Sequence, residues 1–214
     1  MNKESRFQRL GEYFRRSDVA DAKEDLLSFN TGIGVFCSAQ LTHINQGIST
    51  LVNEGVLTPN DLFADAGSGD GRVVIVTAIY GIPSLGIEYN VDLCKRAESH
   101  IKNLRGWRIL DSTSVRIIQG DFTKDETYTQ AGLTFSDVSV FFNFINNHRS
   151  LADKMRVDSP QGTKLLLYDN GQKPPELEGL HPRRTIELAD PKDEERFKGT
   201  GDDSYKGFLH IYKK

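Results

Sequence analysis

The chain has 214 residues and a formal net charge of -3, with 37% hydrophobic and 27% charged residues, which suits one domain that builds its core without disulfides or structural metal. A sequence pI of about 6.0 provides no overall basic footprint for nucleic acid. No apolar run approaches the roughly 18 residues of a membrane span, the charged segment Met1 to Arg16 lacks a secretory h-region, and two cysteines, Cys37 and Cys94, make no disulfide framework, so a reduced, cytoplasmic setting is expected.

Phe7, Leu10, Tyr13 and Phe14 recur at helical spacing between charges, and predict an amphipathic helix over Met1 to Leu27. Asn30 to Gly34 is turn chemistry. A second helix is predicted over Ser38 to Glu54, with Leu41, Ile44, Ile48 and Leu51 inward and Gly55 at its C-cap. Residues 1–57 therefore read as an N-terminal helical cap or lid, and residues 58–214 as the main domain. A regular alternation follows. Strands are predicted at Asp61 to Ala66, Pro83 to Glu88, Ser114 to Gln119, Val138 to Phe144 and Lys164 to Tyr168, and helices at Arg72 to Tyr80 and Val91 to Leu104. Arg184 to Leu188 and Gly207 to Tyr212 read as two final strands, paired antiparallel, with no clear helix in the charged stretch between them. The pattern implies a doubly wound α/β fold. Its sheet has seven strands, mostly parallel with an antiparallel C-terminal strand, and N-terminal helices are added to it.

Chemistry concentrates at the ends of these strands. Asp65-Ala66-Gly67-Ser68-Gly69-Asp70-Gly71 follows a strand and opens a helix, where glycines let the backbone turn and approach a ligand. The spacing is G-x-G-x-G; Arg72 stands where a dinucleotide binder has its third glycine. Glu88 ends the next strand, about 20 residues on, where an acid can take a ribose diol. Gly120-Asp121-Phe122 follows the third strand; Asp121 suits an adenine amino group and Phe122 an adenine face. Phe141 to Asn147 ends the fourth, placing Asn143 and Asn146 at the carboxyl edge of the sheet and Phe142 and Phe144 on one face. The plain alternatives are a tight turn, surface charges and core aromatics. His43, His100, His148, His181 and His210 show no metal-ligand spacing with the cysteines, so no metal is expected.

From Asp61 to Tyr168 the pattern resembles the class I S-adenosyl-L-methionine (SAM) dependent methyltransferases. The resemblance implies that Asp65, Gly67, Ser68 and Gly69 form the SAM-binding glycine motif, Glu88 the ribose acid, and Asp121 with Phe122 the adenine side. Leu62 to Val74, with Gly120-Asp121-Phe122 and the asparagine-rich strand end, is similar to the seven-strand, non-SET histone-lysine methyltransferases and their protein-lysine relatives. That likeness implies a protein lysine as methyl acceptor and Asn143, which also touches cofactor, beside the transferred methyl, with Asn146 as the competing position and Phe144 or Tyr168 along the channel. Gly34 to Ser38 resembles the loop that closes over SAM in that group. The other readings are a methyltransferase for RNA or a small molecule, a SAM-binding module without catalysis, and a nicotinamide oxidoreductase, against which the absent third glycine argues. Lys95, Arg96, Lys102, Arg105 and Arg108 read as a solvated helix face.

Overall fold

In the computed structural model, which describes residues 1–24, 26–32, 34–111, 115–144, 146–197 and 205–214, the first helix begins where Asn2 caps it. The Asn2 side chain accepts from the Ser5 N–H at 2.9 Å, and α1 runs Lys3–Lys23. A short hairpin follows, β1 (Ser28–Asn30) antiparallel to β2 (Val35–Cys37). Helix α2 (Leu41–Asn53) carries Ile44, Ile48 and Leu51 on its buried side. The expected helices thus form with trimmed ends, and the hairpin is a feature that the turn chemistry alone did not reveal. Ile33, Ser114, Ile145 and the 198–204 part of the charged stretch lie outside the described residues.

The alternation then forms as β3 (Phe63–Ala66), α3 (Arg72–Ile79), β4 (Ser84–Glu88), α4 (Val91–Gly106), β5 (Val115–Gln119), α5 (Asp125–Thr129), β6 (Val140–Phe144), α6 (His148–Asp158), β7 (Lys164–Asp169), β8 (His181–Leu188), α7 (Pro191–Phe197) and β9 (Gly207–Lys213). Among the described residues seven of these strands form one sheet, in the order β5-β4-β3-β6-β7-β9-β8. The pairs among β3 to β7 are parallel, and β9 runs antiparallel to both β7 and β8. The final pair is antiparallel as expected. The short helix α7 between its strands corrects the expectation of none. Its charged sequence, Pro191 to Phe197, carries too little apolar periodicity to be read as a helix.

Side-chain alternation divides the core. Phe142, Leu166 and Tyr168 join α1, α2, α3 and α4 on one face, while Phe141, Leu165 and Leu167 join α5 and α6 on the other. Helix α3 is buried at every position from Arg72 to Ile79, which is what its almost unbroken apolar sequence requires: sheet lies on one side and α1 and α2 on the other. Strand order reverses between β3 and β6. That switch point opens a crevice at the carboxyl ends of the strands, where ligands of open α/β sheets bind.

Candidate active site

A cavity of about 720 Å³ fills this crevice. Its floor is the loop from Asp65 to Asp70, and its sides are Glu88 and Tyr89, Gly120 to Thr123, and Phe142 with Phe144. The hairpin and the α6 entrance close it with Phe36, Cys37, Asn146 and Ser150. Two glycines show why this loop tolerates little else. Gly69 has φ +53, and a Cβ there would lie 2.7 Å from the Phe36 ring; Gly71 caps α3 at φ +81 with Ala97 at 2.9 Å.

Asp65 is the penultimate residue of β3, is 2% exposed, and faces the cavity with no described hydrogen-bond partner. Burial, then the charges of Glu88 and Asp70, push its carboxyl well above the usual carboxylate range. Glu88 is held differently: one oxygen accepts from the Gly69 N–H and the other from the Asn90 N–H, each at 2.8 Å. Asp121 accepts from the Thr123 N–H at 2.8 Å and hydroxyl at 2.7 Å through a single oxygen. Phe122 packs on the core beside it and lines the cavity. Asp70 sits on the floor but is consumed by Arg72. Although burial raises its pKa, the adjacent guanidinium outweighs that and holds the carboxyl below the usual range.

The two asparagines separate. Asn143 is 1% exposed, donates from Nδ2 to the Ala66 carbonyl at 2.7 Å, and keeps its Oδ1 buried without a partner. It stands behind the cavity wall, because its position in β6 directs it at the neighbouring β3. Asn146 is on the wall and is bound to Val35. Phe144 lines the cavity and packs on Tyr168 with ring centroids 4.8 Å apart. Tyr168 itself is 3% exposed and bonded to His43 Nδ1 at 2.8 Å, so it lies behind Phe144 rather than along the cavity. His148 opens α6 and does not line the cavity. Sequence reasoning missed Asn146 as the hairpin's anchor and Phe36 as the cover over Gly69; the only local signal was the likeness of Gly34 to Ser38 to a closing loop.

The cavity holds four carboxylates, Asp65, Glu88, Asp121 and Asp153, that no described cation pairs with, so it suits a cationic ligand. SAM, with its sulfonium and ammonium, fits that charge and the glycine floor. The family model for the histone methylation protein DOT1 matches residues 42–166. The chain belongs to this family. It is a SAM-dependent methyltransferase, and the match runs from α2 into β7, so every wall of the cavity except the hairpin and Ala39 lies inside it. No match is found among curated proteins. Among solved structures, the DOT1-family chain is similar to an RNA methyltransferase from Salinibacter ruber in complex with S-adenosyl-L-homocysteine, at 21% identity over 78% of this chain and 90% of that one, with a TM-score of 0.51. It is also similar to magnesium protoporphyrin IX methyltransferase from Synechocystis PCC 6803 with bound SAM, at 12% identity over 81% and 79%, with a TM-score of 0.57. These likenesses show the shared fold. Among the described residues no helix is long and apolar enough to cross a membrane, and no group of His, Cys, Asp and Glu is placed to hold a metal.

Proposed function

We propose that the chain transfers a methyl group from SAM to a lysine amine of a protein. The observation that carries this reading is the match to the histone-methylation family across the cofactor cavity. In this reading Asp65, Gly67, Ser68 and Gly69 hold the amino-acid end of the cofactor, Glu88 the ribose, and Asp121 with Phe122 the adenine. Residues 1–57 act as the cap. When bound, SAM supplies a methyl group on a sulfonium that needs no further activation.

The chain's own residues orient and enclose. Phe36 and Phe144 exclude water from the reacting end, and Asn146 fixes the hairpin above it. Asn143 is a positioning residue: its hold on the Ala66 carbonyl sets the glycine loop that carries Asp65. Alignment of this kind supplies several kcal/mol of a transfer barrier. No general base is assigned.

The test is transfer of radiolabelled methyl from SAM into fractionated lysate, with Asp65→Ala as control. Label on protein lysines, lost in the variant, supports the reading. Label confined to RNA or to small molecules overturns the acceptor and keeps the enzyme class.

A further inference from the structure

A second groove, of about 920 Å³, lies between the N-terminal half of α1 and the carboxyl end of α4. Its walls include Arg6, Arg9, Arg105, Trp107, Arg108 and Asp111. From Leu93 on the cavity wall to Arg105 in the groove, α4 rises about 18 Å, so a ligand here leaves the cofactor cavity free.

The groove is positive although the chain is not. Asp111 is taken by Arg6, which donates to both of its oxygens at 3.0 and 3.5 Å, and Glu12 is paired with Arg16. Among the described residues no carboxylate pairs with Arg9, Arg105 or Arg108. Trp107 is 39% exposed between them, with its ring held at 85° to that of Tyr13 at a centroid distance of 5.4 Å. The next residue, Arg108, has φ 57. Helices commonly place glycine at this left-handed position after the C-cap, and here an arginine occupies it against the backbone preference. A non-glycine residue kept in such a conformation points to a task for its side chain.

We propose that this groove binds single-stranded nucleic acid, with Trp107 stacked on a base and Arg9, Arg105 and Arg108 on backbone phosphates. Guanidinium forks match phosphate oxygens in pairs. An exposed indole between them matches the unpaired base of a single strand, whereas a duplex hides its base faces and an acidic peptide offers none. The distance from the cavity makes the groove a tether rather than a place where a base meets the methyl group.

Trp107 is the only tryptophan in the chain, so its emission reports on the groove directly. The full chain is titrated with an oligouridylate of about 12 nucleotides, a duplex of equal length, and polyglutamate of equal charge. The oligouridylate is expected to quench Trp107 and to bind at least about tenfold tighter than the other two, with a log–log salt slope near about -2 for three phosphates. The double variant Arg9→Ala, Arg108→Gly is expected to bind about tenfold more weakly and to bring the slope toward about -0.7. Glycine suits the φ of Arg108, so this variant should melt no lower than the parent. Absence of binding at low salt, equal binding of polyglutamate or duplex, or full affinity in the double variant overturns the proposal.

Discussion

Asn146 and Val35 stand 111 residues apart and are joined like residues of adjacent strands: the Asn146 Nδ2 donates to the Val35 carbonyl at 2.6 Å, and its Oδ1 accepts from the Val35 N–H at 3.3 Å. One side chain thereby holds the hairpin over the cavity. Asn146→Ala removes both bonds, and at about 1 kcal/mol each SAM affinity is expected to fall by up to about thirtyfold by calorimetry. Hydrogen exchange should quicken across residues 34–37. Unchanged affinity would show that the hairpin is held by Phe36 packing alone.

Asp65 is expected to oppose stability in the absence of cofactor. An unfolded aspartate loses its proton near 3.8, whereas the folded carboxyl holds it to a higher pH. The cofactor-free protein therefore loses stability as pH rises from 3.8 through the folded pKa. Asp65→Asn should raise the melting temperature at neutral pH and flatten that dependence, while SAM binding weakens at least about tenfold. A variant that melts lower than the parent contradicts the assignment.

Arg72 binds four groups at once. Its guanidinium donates to both Asp70 oxygens, to Asp18 at 2.8 Å and to the Ala39 carbonyl at 3.1 Å, with the Phe14 ring 4.8 Å away. It therefore ties α1 and the start of α2 to the cofactor loop. Arg72→Met leaves Asp70 buried without its cation, and roughly 3 to 5 kcal/mol should be lost in urea unfolding. Asp70→Leu with Arg72→Met should recover most of that loss, since replacing the whole buried pair removes the unpaired charge. A double variant as unstable as the single one would refute this account.

Two histidines predict acid sensitivity. Burial lowers the pKa of His43 and of His100 below 6.5, so the unfolded chain protonates first as pH falls. Their contribution is present above pH 6.5 and is lost as pH drops through the folded values, with a slope of at most about 1.4 kcal/mol per pH unit for each. The depressed carboxyl of Asp70 adds a further loss below pH 3.8. Replacing both histidines with glutamine should flatten the dependence between about pH 7 and 5; an unaltered slope would place the protonation elsewhere.

The proposed acceptor sets the pH profile of turnover. A lysine amine titrates near about 10.4, and without a general base only its neutral form reacts. The rate kcat/KM should therefore rise about tenfold per pH unit from neutrality to about pH 9. A plateau near neutrality would instead reveal a base, with Asp65 and Asp153 the first side chains to replace.

The sequence by itself determined the seven strands of the main sheet, helices α1 to α4, the G-x-G-x-G floor and the acids Asp65, Glu88 and Asp121 at successive strand ends. These features are local: apolar runs, turn residues and their spacing act within a window of one element. Helix α6 carried such a signal as well in Leu151, Ala152 and Met155, though its polar sequence hid it. What only the tertiary structure decided was which asparagine reaches the cavity, what covers Gly69, and what Arg72 holds. Asn143 and Asn146 share one strand end and one chemistry. They are separated because Asn143 lies within β6 and meets Ala66 of β3, whereas Asn146 lies beyond the strand end and meets Val35 of the hairpin. Phe36 on Gly69 and Asp18 on Arg72 are likewise meetings of distant segments. No local window contains them, because they exist only once the sheet and the α1–α2 layer have packed on the two sides of α3.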